Sequence, residues 1–321
     1  MSSGGHSSDG SARPIWVKPR IRGKPLSGRL NLMEHLEKWR TAGAVGAKAL
    51  QLGASLVRPG ASMLDVAEEV EAEIRRGGCL PSFPANISVD VEAAHFTPPP
   101  DYDRRFQEGE VVKLDVGAHL EGCISDNATT IEVGSARRST LLAASRDALD
   151  SAERVLHGGL DTTEVTSVIE GAIQRRGFKP VTNLMGHTVE PYSLHAGKSV
   201  PNSSVVEPAY LETGEVVAVE PFATNGAGEI HNGPFGNIMR FRQEPDRERE
   251  SDLHALYSQF RTLPFCLRWV KDRELHRLPF RKKPFIQSYP VFIEVGGGIV
   301  SQAEATFLLT EDGAERLTRV G

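Results

Sequence analysis

Charged side chains set inside strand patterns are the first residues of this sequence that could do chemistry. Asp115 interrupts the run Val111-Val112-Lys113-Leu114-Asp115-Val116, and Asp126 ends Cys123-Ile124-Ser125-Asp126. A tight connection through Glu121-Gly122 turns the chain back between them, so both carboxylates fall near one level on neighbouring strands. Two carboxylates that close repel each other and raise one pKa. A bound cation or a shared proton resolves the conflict. Four more residues follow: His187 in Gly186-His187-Thr188, His195 in Leu194-His195-Ala196-Gly197, Glu220 after Val216-Val217-Ala218-Val219, and Glu304 in Gln302-Ala303-Glu304-Ala305-Thr306. Carboxylates with one imidazole make a hard, oxygen-rich site suited to Mn²⁺, Fe²⁺, Co²⁺ or Zn²⁺. Four carboxylates are many for one ion and natural for two, with some bridging. A lone strand Asp or Glu is more often a structural partner; the ordered set is what points to a metal centre.

The elements that must position these residues show in the apolar spacing. Leu32, Leu36, Trp39, Ala42, Val45, Ala49, Leu52 and Leu56 recur at steps of three and four, which is helical. Arg58-Pro59-Gly60 ends that pattern, Ser62 is placed to cap a second helix over 63–75, and Gly77-Gly78 stops it. Strands are expected over 111–118 and 123–133, helices over 138–156 and 163–176 with Thr162 or Thr163 as the cap, and strand pieces at 216–221, 290–294 and 304–309. A β-hairpin, two helices and further strands imply an α+β chain with helices backing an antiparallel sheet. Residues 238–283 differ in texture: dense in Arg and acids, then weakly apolar, ending in Arg281-Lys282-Lys283. They are expected to form a mostly helical insertion with a solvated charged face.

Composition bounds the function. The chain has 321 residues, 25% of them charged, a net charge of -5 and no apolar run of membrane-spanning length. It is therefore no polycation built for nucleic acid as a whole. Residues 1–30 are the exception: six Lys or Arg stand against Asp9 in a stretch rich in Ser, Gly and Pro. That composition is expected of a disordered basic tail. The first ten residues lack the apolar core of a secretory signal. Three widely spaced cysteines, Cys79, Cys123 and Cys266, suit a reducing cytoplasm rather than a disulfide framework.

On these residues the sequence resembles the type II methionine aminopeptidases, in the compact form without a long polybasic domain. The family pattern is Asp, Asp eleven residues on, Gly-His, Glu-Pro and Glu; Asp115, Asp126, His187, Glu220 and Glu304 meet it in order. Phe83-Pro84-Ala85-Asn86, Ala94-His95-Phe96-Thr97-Pro98, Leu194-His195-Ala196-Gly197-Lys198, Val219-Glu220-Pro221-Phe222-Ala223-Thr224 and Thr262-Leu263-Pro264-Phe265 match as well. The resemblance spans 31–321 and implies the pita-bread fold, two pseudo-symmetric α+β halves closing over two divalent ions (Co, Mn, Fe or Zn). It implies that Asp115 binds one ion, His187 and Glu220 the other, and that Asp126 and Glu304 bridge. His95 and His195 would then contact substrate, Glu220 would accept the attacking water's proton, and Phe83, Leu194 and Tyr289 would line a methionine pocket. The implied activity is removal of the initiator methionine from nascent proteins in the cytoplasm when the second residue is small, with a ribosome contact through the basic tail. Two rivals stand beside it. One is an X-Pro aminopeptidase or prolidase, which usually carries a separate N-terminal domain that residues 1–30 cannot supply. The other is a non-catalytic relative that binds ribosomes or nucleic acid. The sequence departs from the family around the last ligand, where Ala303 and Ala305 replace Phe and His. Strand alternation places both on the face opposite Glu304.

Overall fold

The computed structural model describes residues 29–204, 207–271 and 282–319. In chain order the first half contains α1 (Arg29–Leu56), α2 (Met63–Arg76), β1 (Leu80–Pro81), β2 (Asn86–Val89), β3 (Glu92–Ala94), β4 (Val111–Leu120) and β5 (Cys123–Glu132). The second opens with α3 (Ser139–Glu153), α4 (Thr162–Arg175), β6 (Lys179–Pro180), β7 (Met185–Val189), β8 (Ser199–Pro201), β9 (Val216–Val219) and β10 (Phe222–Thr224). Then come β11 (Ile230–Phe241), α5 (Ser251–Phe260), β12 (Phe265–Cys266), the 3₁₀ turn η1 (Leu267–Trp269) and β13 (Ile286–Glu294). The chain closes with β14 (Val300–Gln302), β15 (Ala305–Leu309) and β16 (Ala314–Arg316).

Each half sets two helices over antiparallel strands. In the first, α1 and α2 cover β1, β4 and β2, and β5 pairs along all of β4. The core between them joins Val66, Val70 and Ile74 of α2 to Ile87, Val112, Leu114 and Val116. Ser62 caps α2 as the sequence implies, its hydroxyl accepting from Asp65 N at 3.2 Å. In the second half, α3 and α4 cover β9, β10 and β15 through Leu149, Ile169, Ile173, Val217, Val219 and Phe307. The cap of α4 is Asp161, whose carboxylate accepts from Thr163 N at 2.8 Å. Of the two expected caps, Thr162 instead accepts from Ala209 N, and Thr163 supplies the N–H that Asp161 caps. A carboxylate at that end also meets the positive pole of the helix dipole, which a threonine cannot match.

Two expected strands break where the site needs a side chain turned inward. The strand expected over 216–221 stops at Val219 and resumes at Phe222, because Pro221 has no N–H to give a ladder. Opposite it, the strand expected over 304–309 begins at Ala305, and β14 ends at Gln302. The two breaks face each other: β10 pairs β14 on one side, β9 pairs β15 on the other, and Ala303 N donates to Pro221 O between them.

The segment expected as a mostly helical insertion over 238–283 holds one α-helix, α5, and the short η1 among its described residues. Its opening residues belong instead to β11, where Ile238 pairs with Tyr289 and Phe241 with Ile286 of β13. The charged residues that suggested a helix fall in the non-helical connection from 242 to 250 and again over 271–283, of which 272–281 lie outside the described residues. A small apolar core of its own, Met239, Phe241, Leu253, Leu256 and Phe265, packs α5 onto the strands. Arg281 and most of the basic tail, residues 1–28, lie outside the described residues. No helix among the described residues is long and apolar enough to cross a membrane.

Candidate active site

The β4–β5 hairpin aligns Asp115 with Ala128 and Asp126 with Gly117, so the two aspartates lie diagonally on one face. Gly117 has a second role, because a Cβ there would come within 2.3 Å of the Phe83 ring; only a glycine leaves that ring its seat. His187 sits on β7 opposite Ala218. Glu220 and Glu304 occupy the two facing breaks described above. A single cavity of about 50 Å³ collects them all, with walls of Phe83, His95, Leu194, His195 and Tyr289 added to Asp115, Asp126, His187, Glu220 and Glu304. All ten residues singled out in the sequence therefore meet at one place. Asn86, Ala94, Ile238 and Pro264 complete the lining. Asn86 and Pro264 belong to matching strings without drawing notice, since an amide and a proline carry no charge signal. Ile238 was hidden by the helical reading of its segment.

The halves are stitched together beside these acids. Ala128 and Glu304 form an isolated antiparallel bridge. Thr306 Oγ1 accepts from Asp126 N and donates to Asp126 O, both at 2.7 Å. Thr130 Oγ1 makes the same pair of bonds with Gln302, also at 2.7 Å. Threonine hydroxyls thus take over where regular strand pairing lapses.

Burial without a neutralising cation sets the electrostatics. Burial raises Asp115 to about 7. Burial, then the charges of Asp115 and Glu220, hold Asp126 well above the usual carboxylate range. Burial and the neighbouring acids do the same to Glu220 and Glu304. The imidazole of His187 is pushed down to about 4 by burial, so it is neutral with a lone pair to offer. Its Nε2 lies 3.7 Å from Asp126 Oδ2 and 3.8 Å from Glu220 Oε1. Among the described residues, one ligand atom each from Asp126, His187 and Glu304 falls within 4.8 Å of the others. Asp115 Oδ1 and Asp126 Oδ1 are buried and accept no hydrogen bond, while Asn86 Nδ2 donates to Asp115 Oδ2 at 3.3 Å. Clustered anionic oxygens left without donors, beside a neutral imidazole, fit divalent cations. The other two histidines are likewise kept neutral by burial, His95 at about 4 and His195 well below its usual value. The His187 and His195 rings stand 4.3 Å apart.

Ala303 and Ala305 are both buried in the core formed with α3 and α4, on the side away from the cavity. Gln302 and Thr306 share the face of Glu304, and Gln302 Nε2 reaches Glu304 Oε2 at 3.4 Å. The two alanines thus adjust the packing behind the sheet and leave the acid cluster whole.

The chain is similar to known metallopeptidases in sequence and in fold. Residues 37–244 match the model of metallopeptidase family M24. A methionine aminopeptidase of Archaeoglobus fulgidus is 41% identical over 286 residues, spanning 88% of this chain and 97% of its own. One from Methanocaldococcus jannaschii is 38% identical over 293 residues, spanning 89% and 99%. The crystal structure of a methionine aminopeptidase from Thermotoga maritima superposes with a TM-score of 0.67 at 23% identity, over 89% of this chain and 97% of the other. The fold is the pita-bread fold, and the chain belongs to metallopeptidase family M24, within its compact type II methionine aminopeptidases.

Proposed function

We propose that this protein removes the initiator methionine from new proteins when the second residue is small. The observation that carries the reading is the cavity in which four carboxylates from both halves, two buried and two half-buried, surround a neutral imidazole beside the apolar walls of Phe83, Leu194 and Tyr289. In this reading Asp115, Asp126, His187, Glu220 and Glu304 would together hold two divalent ions. When bound, such ions lower the pKa of water and polarise a carbonyl. Glu220 accepts the proton of the attacking water, since a carboxylate among the residues that would hold the ions lies within reach of that water. His195 donates to the oxygen that gains charge as the peptide carbon becomes tetrahedral. His95 orients the bound peptide. Phe83, Leu194 and Tyr289 receive the methionine side chain and exclude water from it.

Specificity follows from depth. A substrate whose first carbonyl must reach the acid cluster leaves little room past the scissile bond, so a small second residue is required. The finer partner reading is a ribosome contact in the cytoplasm, supported by the local charge of +5 in residues 1–30. Sedimentation with ribosomes at low and high salt tests it, and salt-independent co-sedimentation would count against it.

The test of the main reading is a panel of peptides with metal-loaded protein. Met-Ala-Ser and Met-Gly peptides are cut, and Met-Lys or Met-Leu peptides barely. Efficient hydrolysis of X-Pro dipeptides without cleavage of Met-Ala-Ser would favour the prolidase reading. Bound metal with no hydrolysis of any peptide would favour the non-catalytic one.

A further inference from the structure

The segment between β11 and β13 lines the cavity with Pro264 and braces its wall through a buried ion pair. Arg268 in η1 and Glu71 in α2 have side chains only 3% and 2% exposed. Two parallel bonds join them, Nη1 to Oε2 at 2.9 Å and Nη2 to Oε1 at 2.8 Å. The carboxylate also accepts from Trp269 Nε1 at 2.6 Å and from Ala85 N at 3.2 Å. The guanidinium also donates from Nε to Pro98 O at 2.7 Å and from Nη2 to Thr97 Oγ1 at 2.9 Å. A buried pair of this kind is often no more stabilising than apolar side chains of equal volume. What it supplies is direction, because a planar fork fixes each group that it touches.

The groups it touches are the backbones of two segments that line the cavity. Ala85 stands between Phe83 and Asn86, and Thr97 and Pro98 follow closely on His95. Thr97 ties the two together: its hydroxyl donates to Ala85 O at 2.9 Å, and its N–H donates to Gly236 O at 3.0 Å. Asn237 Nδ2 donates to Thr97 O at 3.2 Å.

His95 needs such a bracket. Its φ is 70°, a left-handed conformation that is unfavourable for a residue with a Cβ. Conformations of this kind persist where the surroundings over-determine them. Gly236 lies so close that a Cβ there would come within 1.8 Å of His95 O. The imidazole is then wedged between Phe292, at 4.3 Å, and Tyr289, at 5.2 Å.

We infer that Glu71 and Arg268 are positioning residues: their ion pair holds Ala85 and Thr97 so that the strained backbone at His95 aims its imidazole into the cavity. The inference rests on the reading of His95 as a substrate contact. It makes the segment between β11 and β13 part of the site's geometry rather than an appendage.

The test combines kinetics with a readout of His95 itself. Glu71→Gln keeps the shape and removes the charge. Thr97→Val keeps the ion pair and removes the hydroxyl that links Ala85 to Arg268. Each is compared with wild type, with His95→Ala and with the corresponding double variant on Met-Ala-Ser. Imidazole ¹⁵N–¹H spectra are recorded on ¹⁵N-histidine-labelled protein. Glu71→Gln should lower kcat/KM roughly tenfold or more, since a displacement of about 1 Å costs on the order of 10²-fold. The same change in the His95→Ala background should cost less than about threefold, the non-additivity of groups that act as one unit. The His95 resonances should move while those of His187 and His195 hold, and Thr97→Val should reproduce both results. Equal losses in the two backgrounds, or unmoved His95 resonances in a folded variant, overturn the inference. If Glu71→Gln does not fold, Thr97→Val decides alone. If wild type cuts no methionyl peptide, the functional reading fails, and the spectra still decide the positioning role.

Discussion

The two halves deliver their carboxylates to the cavity by different means. In the first half Asp115 and Asp126 ride one hairpin whose ladder runs unbroken from Val111↔Glu132 to Leu120↔Cys123. Their relative position is settled by local pairing and a two-residue turn. In the second half Glu220 and Glu304 stand at breaks in two strands far apart in sequence, facing each other across Pro221 and Ala303. Their position depends on the seam, where Thr306 bonds Asp126 across a separation of 180 residues and Thr130 bonds Gln302 across 172. The hairpin is a rigid carrier that the second half must find. A change in the hairpin should therefore act through chemistry, and a change at the seam should act first through stability.

The largest expected effect tests the shared centre. Asp126→Ala from the hairpin and His187→Ala from the second half should each lower kcat by at least about 10³-fold, because generation of the nucleophile is lost rather than peptide affinity. Chelation should do the same to wild type. Either variant retaining activity within tenfold of wild type would refute the metal assignment for its half.

Next in size is His195→Ala. A group that acts on the tetrahedral species is worth roughly 10²-fold in kcat, with KM moving less and the metal content, by elemental analysis, unchanged. Loss of one ion in this variant would make His195 a ligand.

The seam comes third. Thr306→Val removes the hydroxyl that serves both the N–H and the carbonyl of buried Asp126. Stranding buried backbone groups costs about 1–3 kcal/mol, read as a lower midpoint in urea. An unchanged midpoint would show that the halves hold together without it. A matching loss is expected behind the sheet. Ala303→Phe with Ala305→His should overpack the layer under α3 and α4 and cost about 1–3 kcal/mol, with no gain in kcat. A double variant that kept its melting temperature and gained tenfold in kcat would mark the alanines as damage to the site.

The smallest effect is a proton count. At pH 6 the metal-free site holds protons on its carboxyl groups, since burial lifts Asp115 to about 7 and the other three acids well above their usual range. His187, at about 4, is already neutral there and gives up none. Loading with Mn²⁺ at pH 6 should therefore release protons, and the share from Asp115 should vanish by pH 8. Calorimetry in two buffers of different ionisation enthalpy measures the release. The same heat in both buffers at pH 6 would contradict the raised carboxyl pKa values.

Much of this molecule is written locally. The helical spacing from Leu32 to Leu56, the Ser62 cap and the Glu121-Gly122 turn each depend on a few adjacent residues, and the structure follows them closely. So does the placement of Ala303 and Ala305 away from Glu304, because strand alternation is a property of the backbone. The four acids, His187 and His195 are legible because polar residues set in apolar patterns are conspicuous, whereas His95, Phe83, Leu194 and Tyr289 enter through the family resemblance. The tertiary structure decided what no local pattern encodes. It broke the strand at Glu304, and it drew Ile238 out of an expected helix into a sheet with Tyr289. It also joined Arg268 to Glu71 across 197 residues beneath His95. Periodicity reports which face of an element is apolar; which distant element covers that face, and where a ladder must yield to let a side chain turn inward, is fixed only when the two halves pack.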